Sequence, residues 1–217
     1  MEIGEIQYQI RQCQNETCRF RYPAVTGKGL YCPVCKSDTI AFDLPKREHK
    51  TTVVSDSPQR HIEVLVDNVR SIYNVGSIFR TADGAGVKHL YLCGITATPE
   101  HPKLAKTALG ADSQLSWSYH QNALDTAVSL KEKGHQLWAL EETPTAISLF
   151  NAHPPIASTP LLLIIGNENI GVDPAILAQC HQIMFLPMQG VKDSLNVSVA
   201  FGIALYQLQF GAQHDNH

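Results

Sequence analysis

The chain has 217 residues, of which 44% are hydrophobic and 17% are charged, and its formal net charge is −3. This length predicts one full domain with a small appendage, and the hydrophobic content is sufficient for a buried core. No apolar run approaches the roughly 20 residues that cross a bilayer, and residues 1–5 lack the basic and apolar regions of a secretory signal, so we expect a soluble cytoplasmic protein and exclude the membrane, secreted and disordered classes.

Four of the six cysteines fall close together near the N-terminus, with the spacing C-x4-C-x13-C-x2-C. Two short cysteine turns of this kind supply the four thiolates that zinc prefers in a tetrahedron. Disulfides are the alternative, but a reducing cytoplasm favours free thiols. The sequence therefore predicts a zinc ribbon over residues 1–44, with a structural metal because four protein ligands leave no open position. The predicted ligands are Cys13, Cys18, Cys32 and Cys35.

Residues 45–60 form a polar stretch with a basic cluster at 45–50, which predicts a linker. The cluster either contacts phosphate or belongs to a solvated connector, and the sequence leaves both open. Residues 1–60 carry nine Lys and Arg against seven Asp and Glu, whereas residues 61–217 carry eight against thirteen. If the protein binds nucleic acid, its N-terminal part is the expected electrostatic contact.

Residues 61–217 have an α/β pattern, in which short apolar runs alternate with stretches of helical spacing. The predicted strands are 62–66, 89–93, 136–140, 161–165 and 183–186. The predicted helices are 75–85, 122–133, 174–179 and 195–210. Such alternation predicts a mostly parallel sheet with helices on both faces, and nearly continuous apolar strands are what a doubly covered sheet requires.

Three segments lie where α/β sheets bind their ligands, at the carboxyl ends of strands. The first places Asn74 in a loop and Arg80 about two helical turns later, so that both could approach one anion. The second, residues 166–171, has two glycines that allow close approach of backbone to a ligand. The third, residues 186–200, enters the last helix with Ser194 or Asn196 as its N-cap. None has the glycine spacing of GxGxxG or a P-loop, which disfavours a nicotinamide-dependent enzyme and a nucleotide phosphate site.

Together, the three segments resemble the three motifs of the SpoU (TrmH-like) branch of the SPOUT methyltransferases. The resemblance covers residues 60–210. Asn74 and Arg80 are similar to the first motif, residues 166–171 to the second, and residues 186–200 to the third. Residues 106–111 also resemble a loop of the family.

This resemblance implies a fold and an activity that composition does not reveal. The implied fold has a C-terminal trefoil knot and forms a homodimer. The implied activity transfers a methyl group from S-adenosylmethionine to a ribose 2′-hydroxyl of tRNA or rRNA. Our leading hypothesis adds the zinc ribbon as an RNA-recognition module. The implied catalytic residues are Arg80, Asn74, Glu168, Ser194 and Asn196. The implied cofactor-binding residues are Leu140, Gly166, Asn167, Gly171, Leu186, Met188, Leu195 and Asn196.

The chemistry of these side chains limits the implied roles. A guanidinium rarely gives up a proton, so we expect Arg80 to hold the target phosphate and stabilise the developing alkoxide, not to act as a base. Glu168 has a second interpretation, as a loop carboxylate that caps the helix following it. For the whole chain, the alternative is a SPOUT-type RNA-binding protein that has lost methyl transfer.

Overall fold

The structure, a computed structural model, describes residues 7–44, 60–108 and 110–211. The chain divides into two compact units, Met1–Val54 and Ser55–His217. The basic cluster and almost all of the predicted linker lie outside the described residues. Among the helices that the structure describes, none combines the length and the apolar composition needed to cross a membrane.

The N-terminal unit is a small antiparallel sheet. Its strands are β1 (Tyr8–Cys13), β2 (Arg21–Val25) and β3 (Thr39–Asp43), in the order β2–β1–β3. Side chains alternate between the two faces of a strand, and the buried ones of β1 are Gln9, Arg11 and Cys13. The Arg11 guanidinium donates hydrogen bonds to the hydroxyl and carbonyl oxygens of Thr39, at 2.7 and 2.9 Å. The buried face of this sheet is therefore largely polar.

The C-terminal unit contains one seven-stranded sheet in which all neighbouring strands are parallel. The strands are β4 (Ile62–Asp67), β5 (Leu90–Cys93), β6 (Trp117–His120), β7 (Gln136–Leu140), β8 (Ile147–Ser148), β9 (Leu161–Ile165) and β10 (Gln182–Phe185). Their order is β6–β5–β4–β9–β7–β10–β8. Every residue of β9 is buried, as expected for a central strand that is covered on both faces.

Helices pack on both faces of this sheet. They are α1 (Ile72–Gly84), α2 (Pro102–Ala108), α3 (Ala111–Gln114), α4 (Ala123–Glu132), α5 (Pro174–Leu177) and α6 (Val197–Phe210), with a 3-10 turn at Leu149–Asn151. Helices α1, α2 and α6 share a core with Val64 and Leu163, whereas α4 and α5 share one with Leu65 and Leu162. The predicted α/β class with a parallel sheet is confirmed, and the knot stays a prediction.

The five strands and four helices expected from the sequence are present, with ends that differ by three residues at most. The prediction missed β6, β8, α2 and α3. Both missed strands are at the edges of the sheet, where a strand need not carry the continuous apolar run used to recognise the others. Residues 106–111, expected to form a loop, belong largely to the end of α2 and the start of α3.

Candidate functional site

A cavity of about 460 Å³ opens where β7, β9 and β10 end. All eight residues expected to bind the cofactor line it, although they come from three distant stretches of the chain. Small-molecule sites commonly have volumes of about 300–1,000 Å³ and lie at the carboxyl ends of parallel strands. The cavity therefore has the size and the place of a ligand site.

The loop that follows β9 owes its shape to two glycines. The backbones of Asn167 and Gly171 pair through hydrogen bonds of 3.0 and 2.9 Å. A Cβ on Gly166 would lie 2.2 Å from the carbonyl carbon of Gly171, and a Cβ on Gly171 would lie 2.0 Å from Oε2 of Glu141. Gly171 also has a φ of +71°, in the region that favours glycine. The Asn167 amide donates to the carbonyl oxygen of Asn68 at 2.7 Å, which fixes the loop against the end of β4.

The carboxylate of Glu168 ties this loop to the start of α1. It accepts hydrogen bonds from the backbone N–H groups of Arg70 and Ser71 and from Nδ2 of Asn74, each at 2.9 Å. Burial alone would raise the pKa of this carboxyl, but the three donors outweigh it and hold the pKa of Glu168 below its ordinary value. The helix that follows the loop, α5, is capped by Asp173, so Glu168 instead holds the two residues before α1 and the side chain of Asn74. An ionised carboxylate with both oxygens engaged is poorly suited to accept a proton.

Asn74 joins the first segment to the third. The sequence placed it in a loop, whereas it lies in the first turn of α1. Its Nδ2 donates to Glu168, and its Oδ1 accepts from Nδ2 of Asn196 at 3.0 Å. Asn196 is the N-cap of α6, and its Oδ1 accepts from two backbone N–H groups in the first turn of that helix. A hydrogen-bonded chain from Glu168 through Asn74 to Asn196 thus connects all three segments.

Two of the expected catalytic residues take no part in these hydrogen bonds between the three segments. Ser194 lines the cavity, and its hydroxyl donates to Asp193 at 3.3 Å. Arg80 does not line the cavity, and its exposed side chain makes no hydrogen bond or ion pair with the described residues. At about 100° per helical residue, positions six apart point about 120° away from each other. The structure therefore brings Asn74 to the site residues and leaves Arg80 on another side of α1.

Sequence reasoning missed the acidic part of the cavity wall. The Glu141 carboxylate accepts the backbone N–H of Val172 at 2.9 Å, and Glu142 and Asp193 also line the cavity. Glu141 and Glu142 directly follow β7, so a search of every strand end would have found them. With Glu168, the described lining holds four carboxylates and neither Lys nor Arg. Its charge favours a cationic ligand over a phosphate.

The four clustered cysteines meet in the N-terminal unit. Their Sγ atoms lie within 4.8 Å of one another, with 3.3 Å between Cys13 and Cys35 and 3.8 Å between Cys18 and Cys32. A zinc tetrahedron with Zn–S bonds of about 2.3 Å has S···S edges of about 3.8 Å, so these residues fit the metal. The cysteines are free thiols and form no disulfide. Hydrogen bonds with Ser37 lower the pKa of Cys35 to about 6, which favours the thiolate that zinc binds.

Comparison with known proteins identifies similar sequences and folds. The profile of the SpoU rRNA Methylase family matches residues 61–206. The tRNA (guanosine(18)-2′-O)-methyltransferase of Aquifex aeolicus is 31% identical over 170 residues, or 76% of this chain and 77% of that protein. The 23S rRNA (guanosine(2553)-2′-O)-methyltransferase RlmP of Bacillus subtilis is 28% identical over 196 residues, or 87% of this chain and 77% of that protein. The AdoMet-bound rRNA methyltransferase from Sinorhizobium meliloti superposes with a TM-score of 0.63 and 28% identity, over 70% of this chain and 57% of that one.

Proposed function

Since the chain belongs to the SpoU rRNA methylase family, we propose that it transfers a methyl group from S-adenosylmethionine to a ribose 2′-hydroxyl of tRNA or rRNA. The names of its relatives support this activity, and a similar structure with bound AdoMet supports the cofactor. The observation that carries the proposal is the cavity at the ends of β7, β9 and β10, which gathers the expected cofactor-binding residues. Such RNA substrates would place the enzyme in the cytoplasm.

The cavity would hold S-adenosylmethionine between the loop at 166–171 and the segment 186–196. Bound there, the cofactor would supply an electrophilic methyl group on a positively charged sulfur. Leu186 and Leu195 offer apolar surface on the cavity wall, while Glu141, Glu142 and Asp193 supply negative charge. This combination suits a ligand that has both an apolar purine and cationic groups.

The residues at the rim of the cavity would position the RNA. Glu168 and Asn74 fix the start of α1 against the loop at 166–171, so we assign them to positioning and not to proton transfer. Arg80 lies away from the cavity wall, which suits a residue that meets the RNA instead of the cofactor. In the proposed homodimer, its planar guanidinium would hold a phosphate and stabilise the developing alkoxide of an RNA that enters the partner subunit's cavity. Ser194 and Asn196 face the cavity and would orient the acceptor ribose.

The cysteine cluster would bind one structural zinc ion. The close approach of the four Sγ atoms supports this assignment. Because four thiolates complete a tetrahedron, the metal would take no part in methyl transfer. It would instead stabilise a unit whose small sheet buries few apolar side chains.

A homodimer is the proposed assembly, and α6 offers the surface for it. On its sheet-facing side the helix buries Phe201 and Leu205. Its outer side exposes a stripe at positions i, i+4 and i+7, formed by Val199 (51% exposed), Ile203 (38%) and Tyr206 (47%). An apolar stripe of this kind is typical of a protein interface.

Ribose methylation mapping tests the proposed activity. Total RNA from a deletion strain and its parent would be compared, and the purified protein would be assayed with labelled S-adenosylmethionine. A site that is lost in the deletion strain and restored by the protein supports the enzyme and names its RNA. Cofactor binding without transfer to any RNA would favour the inactive RNA-binding alternative. The joint presence of Arg80, Glu168, Ser194 and Asn196 favours the enzyme.

A further inference from the structure

The sheet of the N-terminal unit exposes its apolar face. Residues two apart on a strand share a face, so Tyr8 and Ile10 lie opposite the buried Gln9 and Arg11. The register places residues of β2 and β3 beside them on the same side. We call this surface the open face and define it by Tyr8, Ile10, Arg21, Val25, Ile40 and Phe42.

This arrangement reverses the usual distribution of polar and apolar residues. Tyr8 is 53% exposed and Phe42 is 38% exposed, while Arg11 on the opposite face is 7% exposed. The segment around Gly29 packs on that opposite face. Gly29 lies so close to it that an added Cβ would be 3.0 Å from Cδ of Arg11 and from the hydroxyl of Tyr22. Among the described residues, the open face is thus the side of the sheet that stays exposed, as a surface for a partner does.

The charge on the open face is positive. Arg21 places its guanidinium carbon 4.5 Å from the centre of the Phe42 ring, and it donates to the Gln12 side chain at 3.0 Å. The three strands contain one acidic residue, Asp43, which pairs with the buried Gln9 and so belongs to the opposite face. Residues 7–44 carry five Lys and Arg against three Asp and Glu, in contrast to the acidic remainder of the chain.

We infer that the open face binds single-stranded RNA, with one base stacked on Tyr8 and a second on the Arg21 guanidinium that lies over the Phe42 ring, where its charge also attracts the RNA backbone. Unpaired RNA bases stack on exposed aromatic rings and on guanidinium planes, and a sheet face that carries such side chains is a recurrent RNA-binding surface. In the register, Phe42 lies opposite Ile10 and diagonal to Tyr8, which corresponds to about 7–8 Å. Two neighbouring bases span a distance of this order. The inference rests on the proposed function for RNA as the partner, but its residues lie outside the family match at 61–206.

Binding measurements with the full-length protein test the inference. The probes are a fluorescein-labelled, mixed-sequence RNA 12-mer and unmodified tRNA transcripts. Tyr8→Ala and Phe42→Ala should each raise the Kd for RNA by about 5- to 100-fold, the usual cost of a lost stacking platform. Arg21→Gln should reduce the slope of log Kd against log salt by about one.

Tyr31→Ala is the matched control, because the Tyr31 side chain is 65% exposed but does not belong to the open face. The backbone carbonyl oxygen of Tyr31 accepts a hydrogen bond from the hydroxyl of Tyr22, which lies on the opposite face. It should bind RNA as the wild type does. The metal content and thermal unfolding of every variant would establish that the N-terminal unit is folded.

Wild-type RNA affinity in the Tyr8→Ala and Phe42→Ala variants would overturn the inference. A change in the sedimentation coefficient of the RNA-free variants would overturn it too, because the open face would then be covered by a second copy of the chain. If these variants keep wild-type affinity while the wild type methylates RNA, the inference fails and the proposed function stands. If the wild type transfers no methyl group but binds RNA through the open face, the proposed function fails and the inference stands.

Discussion

Replacing Glu168 by Gln tests whether the loop at 166–171 and the start of α1 form one unit. Two carboxylate oxygens of Glu168 receive three donors at 2.9 Å. A Gln amide keeps one acceptor but turns its NH2 group towards a donor, so at least one hydrogen bond is lost. A hydrogen bond to a charged group contributes about 1.5–3 kcal/mol, and a charge at a helix N-terminus about 0.3–1 kcal/mol. Because Glu168 is exposed, solvent screening reduces the expected loss to about 1–2 kcal/mol.

The assay is thermal unfolding at pH 7, with Glu132→Gln as the control. For a chain of this size the loss corresponds to a Tm lower by about 2–8 °C, whereas Glu132, at the exposed end of α4, should change Tm by about 1 °C at most. Folding lowers the pKa of Glu168, so its stabilisation is present above the unfolded-state pKa of about 4.3. It is lost as the pH falls through the folded-state pKa, and there the variant and the wild type should converge. Equal Tm values at pH 7 would refute the reasoning.

Three further predictions concern the other proposed roles. Arg80→Ala should lower the rate of single-turnover methyl transfer by about 10²–10³-fold with little change in the cofactor Kd. Arg80→Lys should restore little of this rate, because a point charge does not replace the planar fork. Near-normal transfer by Arg80→Ala would exclude Arg80 from the active site. The wild type should contain one zinc ion per chain. Cys32→Ser should lose this zinc and unfold the N-terminal unit, whereas the control Cys180→Ser should retain the metal. Zinc-free wild-type protein, purified without a chelator, would contradict the assignment. Ile203→Arg should convert a dimer to a monomer in sedimentation experiments, and a dimer that persists would argue against the α6 stripe.

The sheet could be predicted from the sequence wherever a strand is buried on both faces. Residues 161–165 form one continuous apolar run because β9 is covered on both sides, and the expected bounds agree with the structure. At the edges this reasoning fails. β6 reads Trp-Ser-Tyr-His and β8 has two residues, since an edge strand can leave side chains half-exposed and needs no apolar run.

The N-terminal unit shows a second reason for failure. The cysteine spacing predicted a metal site because the ligands lie in two short segments of the sequence. The face on which Tyr8 and Phe42 lie follows from strand register, and the spacing of the cysteines contains no information about register. The polar, buried side of β1 also contradicts the usual assumption that apolar residues face inwards.

The role of Glu168 depends on which strands are neighbours. Its hydrogen bond to Asn74 joins residues 94 positions apart, and the bond from Asn196 to Asn74 joins residues 122 apart. The first of these contacts exists because β4 and β9 pair with Val66 opposite Ile165, so that the segments after both strands start at the same edge of the sheet. The sequence revealed each segment but not this adjacency, and it therefore left Glu168 with two interpretations. With the adjacency known, the carboxylate is committed to two backbone donors just before α1 and to the Asn74 side chain in its first turn, and we expect the proton of the acceptor hydroxyl to leave to another group.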